Sequence, residues 1–321
     1  STRLMSKRNK GRDLNGILIV DKPQGLTSNG VVSRLKRWSQ AKKVGHTGAL
    51  DPMATGVLPI VFGEATKFSQ YGLDAHKGYL ARIQLGSATD TLDAEGNIIL
   101  VKPIPELTES KIATVLSALT GTQMQVPPMV SALKHQGQPL YKLARQGKQV
   151  ERSPRPIQIF SNHLLQFDAS AGWIDICVRC SKGTYIRSLA ESIGDALGSV
   201  AHLSRLRRDL SGGFSLEQAH AWDALESLQD NDPSRIDSSL LPIDAILSHF
   251  PRVDLTEDEC TILIQGQKVS GKRVDVCDNT RAYFAGGPFI GLVSVESSGM
   301  ITAKRMLSPA AAGMRGSSGS G

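Results

Sequence analysis

The chain lacks several features that would place it in a familiar class at once. None of its apolar runs approaches the ~18 residues that a membrane-spanning helix needs, and no signal-peptide pattern opens it. Only four cysteines occur in 321 residues, which indicates a reducing compartment rather than a disulfide scaffold. We therefore expect a cytoplasmic protein that has no contact with a membrane.

Metal and nucleophile motifs are missing or incomplete. The sequence contains no H-E-x-x-H, no G-x-S-x-G and no paired zinc pattern. Cys177 and Cys180 form a C-x-x-C, but the run WIDICVRC alternates as a strand does and points them to opposite faces. Residues 266–272 spell G-x-x-x-x-G-K, yet Arg273 stands where a Ser or Thr would hold magnesium. We expect neither a metal nor a cofactor.

Positive charge is in excess and locally concentrated. The 37 Lys and Arg residues exceed the 30 Asp and Glu residues by seven. A single basic run is usually a solvated face, but three runs on one chain favour a polyanionic partner such as nucleic acid. These runs comprise Arg3, Lys7, Arg8, Lys10 and Arg12; Arg34, Lys36, Arg37, Lys42 and Lys43; and Arg205, Arg207 and Arg208.

The order of apolar patterns predicts an α+β fold. Strand-like runs such as GILIVD and VLPIVF are interleaved irregularly with helical runs, which argues against a doubly wound sheet. Polar and glycine-rich segments mark the boundaries. We predict a basic disordered N-terminus over 1–12, a main domain over 13–249 with an insertion over about 126–152, a small β-rich module over 250–307 and a disordered tail over 308–321.

Residues 43–68, KVGHTGALDPMATGVLPIVFGEATKF, form the most informative stretch. Their glycines and prolines predict a stiff exposed loop that presents Asp51, followed by a buried strand. An Asp before Pro is ordinarily a turn residue, Tyr79 alone is packing, and Arg187 alone is a surface charge. In SKGTYIR, however, a tight turn would aim Tyr185 and Arg187 past the sheet edge. The residues alone therefore leave open both an ordinary turn and a nucleic-acid enzyme.

Six long motifs in this order resemble the bacterial tRNA pseudouridine-55 synthases of the TruB type. The resemblance covers about residues 11–307, and the order of the motifs makes it far more specific than any one of them. The motifs are GRDLNGILIVDKPQGLTS, KVGHTGALDPMATGVLPIVFGEATKFSQY, GSATDTLDAEG, VPPMVSALKHQGQPLYKLARQGKQVER, CSKGTYIRSLAESIG and AHLSRLRR.

The resemblance implies a pseudouridine-synthase domain with a central mixed, mostly antiparallel sheet, a thumb over 126–152 and a PUA-like module beyond 250. It implies isomerisation of uridine 55 in the TΨC loop of tRNA, without cofactor or metal, after the target nucleotide flips outward. The implied partners are the T-arm and acceptor arm of tRNA, with no obligate protein partner and a monomeric enzyme.

The resemblance also assigns roles to individual residues. Asp51 matches the carboxylate that acts at ribose C1′, either by covalent attack or by assisting a glycal route. Arg187 matches the arginine that pairs with it. Tyr79 matches the tyrosine that stacks on uracil and is expected to take the C5 proton at the end, so the implied catalytic residues are Asp51, Tyr79 and Arg187. The remaining substrate-binding positions are His46, Tyr185, Leu206, Lys22, Lys134 and Arg145.

Two residues depart from the family pattern, and two alternative functions compete with this assignment. Gly78 stands where relatives commonly have a basic residue, and Val130 stands where a tyrosine is usual. One rival is a guide-dependent relative that shares the fold but modifies another RNA. The other is an RNA-folding chaperone that holds the T-arm without chemistry.

Overall fold

The computed structural model describes residues 11–131, 134–230, 232–270 and 275–314, without the side chains of Lys134 and His135. The helices of this part are α1 Ser28–Ser39, α2 Ser69–Leu73, α3 Glu109–Ala118, α4 Leu140–Arg145, α5 Ile186–Ala196, α6 Trp222–Glu226 and α7 Glu257–Ile264. Short 3₁₀ helices span Gly63–Phe68, Leu216–Gln218, Pro233–Ser239 and Ile243–Leu247.

The strands of the same part outnumber its helices. They are β1 Gly16–Lys22, β2 Val44–His46, β3 Thr55–Phe62, β4 Lys77–Leu85, β5 Ser87–Thr89, β6 Ile98–Val101, β7 Gly121–Gln125, β8 Lys134–His135, β9 Gln138–Pro139, β10 Arg155–Asp168, β11 Trp173–Cys180, β12 Ala201–Ser211, β13 Phe214–Ser215, β14 His220–Ala221, β15 Arg252–Leu255, β16 Cys277–Phe284, β17 Phe289–Val295 and β18 Ile301–Met306.

A large mixed sheet organises the main domain. Its strands follow the order β14-β1-β3-β12-β4-β11-β10-β7, with β2 paired to β3 and β13 paired to β12. The β1–β14 and β3–β12 pairs are parallel, whereas the other pairs are antiparallel. The predicted α+β class with a mixed, mostly antiparallel sheet is confirmed.

Helices cover one face of this sheet and form the larger core. Helix α5 keeps the predicted 3.6-residue period, so Ile186, Leu189, Ala190 and Ile193 are buried on one side. They pack in the same cluster as residues of α1, α3 and strands β3, β4 and β11. This packing holds the N-terminus of α5, and with it Arg187, against the end of the sheet.

The C-terminal module covers part of the opposite face. Strands β15-β16-β17-β18 form its sheet, and α7 follows β15. Ile17, Ile19, Val57 and Val61 of the main sheet belong to the same buried cluster as the core of this module. The prediction of a β-rich module after residue 250 thus agrees with the structure, and its PUA-like character stays a prediction.

The predicted ends of the folded region need correction. Arg12 bonds the carbonyl of Ser39 and pairs with Asp237, so the placed chain begins before residue 13. Residues 308–314 form a turn in which Ala312 is 2 % exposed, because this turn packs on the C-terminal core. Residues 1–10 and 315–321 lie outside the described residues.

Candidate active site

The Asp51 loop, residues 47–54, connects β2 to β3 and is anchored at several points. Gly48 has φ +128°, a conformation that L side chains rarely adopt. The hydroxyl of Ser28 accepts a hydrogen bond from Leu50 N at 2.8 Å and donates to Leu50 O at 3.1 Å. Thr47, Leu50, Met53 and Ala54 are buried. The stiff loop predicted from glycine and proline content is therefore also held by side chains from other elements.

Lys22, predicted to bind substrate, instead lies inside the protein. Its ammonium group donates to the carbonyls of Pro23 at 2.8 Å, Leu26 at 2.7 Å and Pro52 at 3.4 Å. Burial lowers the pKa of Lys22 to about 8, and the charge of Asp51 opposes this shift. Because its three donors are engaged and the side chain is fully buried, its placement favours support of the Asp51 loop over contact with substrate.

Asp51 and Arg187 form an ion pair at the N-terminus of α5. Arg187 Nε lies 3.1 Å from Asp51 Oδ2, and the arginine side chain is 4 % exposed. The Asp51 side chain keeps 37 % of its surface exposed, and the carboxylate lines a cavity rather than open solvent. Burial raises the pKa of Asp51, and Arg187 opposes this rise. The structure thus brings together Asp51 and Arg187, the carboxylate and the counterion that the sequence predicted.

The cavity beside this ion pair measures about 100 Å³. Tyr79 and Leu206, each 8 % exposed, form part of its wall. Tyr185 contributes a further aromatic wall, and the Arg187 guanidinium lies 5.8 Å from the centroid of that ring. The other lining residues are Ala49, Leu50, Thr184 and Ile186. The structure therefore gathers Asp51, Tyr79, Tyr185, Arg187 and Leu206, which are distant in sequence, around one small pocket with a single carboxylate.

A larger depression of about 460 Å³ shares Leu206 with this pocket. Its carboxylate, Asp175, is engaged by Arg82 at 2.8 Å and by Gln166 at 2.8 Å. These bonds occupy Asp175, whereas Asp51 faces a tyrosine and an apolar wall. The smaller cavity is therefore the better candidate for chemistry.

The thumb contacts the pocket through backbone carbonyls. Arg187 Nη1 donates to the Val130 carbonyl at 2.6 Å, so one guanidinium contacts both Asp51 and the thumb. The Gln125 side chain bonds both the N–H and the C=O of Tyr185, at 2.8 and 3.0 Å. Because Val130 acts through its backbone, replacement of a tyrosine by valine at this position leaves the Arg187 contact possible.

His46 and Arg145 do not line the pocket. His46 Nδ1 accepts a hydrogen bond from Gly48 N at 3.2 Å, and burial and Arg208 lower the pKa of His46. Arg145 is exposed at the end of α4 in the thumb. Lys134 has its backbone in β8, and its side chain lies outside the described part of the structure.

Sequence reasoning missed Asp93, in a stretch that it treated only as a turn. Asp93 is 5 % exposed, and its carboxylate accepts bonds from Thr91 Oγ1 at 2.6 Å and Glu95 N at 3.0 Å. Its negative charge contributes to the raised pKa of Asp51. The preceding Leu92 has φ +66°, a rare conformation for leucine. The only sequence feature that pointed to Asp93 is the cluster of acidic residues in TDTLDAEG.

The backbone beside Tyr79 is covered although Gly78 has no side chain. A Cβ at Gly78 would lie 2.4 Å from Arg179 Nη1 and 2.9 Å from Asp209 Oδ1. Arg179 and Asp209 form an ion pair at 2.8 Å. Their side chains therefore occupy the space next to Gly78, and a cation is present there despite the departure from the family pattern.

Among the residues that the structure describes, no group of three or more His, Cys, Asp and Glu side chains could hold a metal ion. Cys177 is half-buried and Cys180 fully buried on the alternating strand β11. Residues 271–273 of the G-x-x-x-x-G-K-R run lie outside the described residues. No helix within the described ranges is long and apolar enough to cross a membrane.

Comparison with known proteins gives the same motifs a family. The model described as "TruB family pseudouridylate synthase (N terminal domain)" matches residues 36–186, and "tRNA pseudouridylate synthase B C-terminal domain" matches residues 187–248. A relative from Chromohalobacter salexigens, named tRNA pseudouridine synthase B, is 44% identical over 95% of this chain and 98% of its own length. The chain belongs to the TruB family.

Other comparisons agree with TruB membership. A tRNA pseudouridine synthase B from Neisseria meningitidis serogroup B is 46% identical over 89% of this chain and 91% of its own. Among solved structures, a chain of "Crystal Structure of a Cbf5-Nop10-Gar1 Complex" aligns with a TM-score of 0.69 at 24% identity, covering 91% of this chain and 84% of that one. At that identity the likeness shows the fold alone.

Proposed function

We propose that this protein is a tRNA pseudouridine synthase that isomerises uridine 55 in the TΨC loop. The observation that carries the proposal is the pocket in which Asp51, paired with Arg187 at 3.1 Å, shares a wall with the buried Tyr79 and Leu206. A lone countered carboxylate beside an aromatic ring suits chemistry on a nucleoside. The names of the 44–46% identical relatives support the same reaction.

The reaction is an isomerisation, which leaves the elemental composition of the nucleoside unchanged. The bond from N1 of uracil to ribose C1′ breaks, the base turns, and C5 bonds to C1′ in place of N1. The C5 proton then leaves, and N1 gains a proton. Asp51 acts at the sugar, either by attacking C1′ or by assisting removal of the C2′ proton. Both routes need the carboxylate ionised, and the Arg187 guanidinium favours that form.

The target base must leave the RNA stack to reach Asp51, because the carboxylate lies within a pocket of about 100 Å³. Flipping a nucleotide costs a few kcal/mol, which stacking and phosphate contacts offset. We propose that Tyr79 stacks on the flipped uracil, with Leu206 and Tyr185 on its other sides. Arg145, which is exposed on the thumb, would contact phosphate after the thumb closes.

The proposed partner is tRNA, bound through both its T-arm and its acceptor arm. The thumb would close on the T-arm, and the C-terminal module, which we propose to be PUA-like, would contact the acceptor arm. A complete thumb and a short C-terminal module favour an enzyme that acts alone over a guide-dependent one. We accordingly propose a monomer in the cytoplasm, without an obligate protein partner, cofactor or metal.

Release of tritium from tRNA transcript labelled at uracil C5 tests the reaction. Wild type should release the label, whereas Asp51→Asn should lose at least about a thousandfold in rate, because it removes the reacting group. The variant should still bind tRNA in a filter assay. A variant that keeps turning over contradicts the role of Asp51. A wild type that refolds tRNA without releasing label would favour the chaperone instead.

A further inference from the structure

The basic run RLRR contains one arginine whose position the sequence does not reveal. Arg205 is exposed, and Arg207 pairs with Asp21 at 2.9 Å. Arg208, by contrast, is 1 % exposed and is among the largest fully buried side chains of the described chain. Because successive residues of a strand face opposite sides, Arg208 shares the face of Leu206, which lines the pocket.

Arg208 binds backbone on both sides of Asp51. Its Nη2 donates to Gly48 O at 2.9 Å and its Nη1 to Ala49 O at 3.4 Å, both within the Asp51 loop. Its Nε donates to Val57 O at 2.8 Å, on the strand that leaves the loop. One planar guanidinium therefore ties together the two ends of the segment that presents the carboxylate.

The same guanidinium reaches Tyr79. Arg208 and Tyr79 are direct partners in the β12–β4 register, so their side chains lie side by side on the pocket face. Burial raises the pKa of Tyr79, and the Arg208 charge opposes this rise. A buried cation held by carbonyl oxygens is thus placed between the loop of Asp51 and the phenol.

The close approach of β12 to β3 supports this placement. A Cβ at Gly56 would lie 2.1 Å from Arg208 O, so only glycine lets the two backbones meet at this register. The β12–β3 pairing itself joins Arg208 to Gly56. The sheet pairing therefore fixes the backbone position from which the Arg208 guanidinium extends.

We propose that Arg208 is a positioning residue for the isomerisation: it holds the Gly48 and Ala49 carbonyls and lies beside Tyr79 in the sheet, so that Asp51 and the phenol keep one fixed relation across the pocket. This inference rests on the proposed function. Arg208 is not proposed to touch substrate, since three carbonyl oxygens already bind its guanidinium. Arg187 orients the carboxylate directly, whereas Arg208 orients the backbone that carries it.

Arg208→Lys tests the proposal, because lysine keeps the charge but cannot bond several oxygens in a planar fork. With enzyme in excess over tRNA transcript, the single-turnover rate should fall about 100-fold, as expected for a small displacement of reacting groups. The Kd for tRNA should stay within about threefold and the Tm within a few degrees of wild type. Arg82→Lys, whose arginine pairs with Asp175 on the opposite face of β4, is the matched control and should keep the wild-type rate.

Three results would overturn the proposal. They are a wild-type single-turnover rate in Arg208→Lys, a loss of rate matched by an equal loss of tRNA binding, and a variant that fails to fold, which would make Arg208 purely structural. Amide hydrogen exchange over residues 47–54 should increase in Arg208→Lys whether or not the reaction is measured. Unchanged exchange would also contradict a positioning role.

The Tyr79 half of the proposal needs its own comparison. Tyr79→Phe removes only the hydroxyl, so Arg208→Lys should reduce the rate less in that background than in wild type. Equal reductions in both backgrounds would refute the Tyr79 contact. A wild-type protein that leaves uridine in tRNA unchanged would instead refute the proposed function, and the exchange experiment would still judge the loop.

Discussion

The Asp51 loop lines the pocket and the thumb contacts Arg187 in its wall, but the loop and the thumb are held in different ways. The loop has buried residues along its length and is bonded by Ser28, Lys22 and Arg208 from three other elements. The thumb helix α4 buries only Leu140 and Leu143, and its charged residues are exposed. Such a contrast suits a fixed reacting group beside a segment that must open for a large substrate. Chemistry should therefore depend on the loop and RNA affinity on the thumb.

Arg187 should affect both chemistry and RNA affinity, because it contacts both the Asp51 loop and the thumb. Replacing it with glutamine removes the counterion of Asp51 and weakens the contact with Val130 O. We expect a loss of about a thousandfold in single-turnover rate together with weaker binding of tRNA. Rate and Kd measured on the same tRNA transcript provide the check. An effect confined to Kd would mean that Asp51 does not need this cation.

The pH dependence of the single-turnover rate should report the ionisation of Asp51. Burial raises the pKa of Asp51 above its ordinary 3.8, and the reaction needs the ionised form. The single-turnover rate should therefore rise with pH along a limb centred above 3.8. In Arg187→Gln the limb should move to still higher pH, because the opposing cation is gone. A limb that stays in place after this substitution contradicts the assignment to Asp51.

Thumb packing should affect binding more than chemistry. Leu143→Ala removes one of the two buried leucines of α4 and should loosen this short helix. We expect the Kd for tRNA to rise about tenfold, with the single-turnover rate at saturating enzyme within about threefold of wild type. The exposed Ile99→Ala on β6 serves as the control. A larger change in rate than in Kd would show that the thumb belongs to the rigid part of the site.

The smallest effect should come from a single exposed charge on the thumb. Arg145→Gln should weaken tRNA binding a few-fold and reduce the slope of log Kd against log salt by about one, because one phosphate contact is lost. The exposed Lys102→Gln, on the chain after β6, is the control. A salt slope that does not change would remove Arg145 from the RNA footprint.

Local patterns in the sequence were sufficient for the elements and for the candidate residues. A continuous apolar run predicted the buried strand β3, alternation predicted β11, and motif order predicted the family. These signals are readable because they depend on neighbours along the chain. Cys177 and Cys180 of the C-x-x-C, predicted to point to opposite faces of a strand, do lie on opposite faces of β11.

Only the tertiary structure decided which charges are buried. From sequence, Arg205, Arg207 and Arg208 look alike, and Lys22 looks like an exposed substrate contact; in the fold Arg208 and Lys22 are buried against carbonyl oxygens. Asp93 is also buried, and its charge helps to raise the pKa of Asp51. The physical reason is that burial and pairing depend on strands and loops far apart in the chain, whose approach no local pattern encodes.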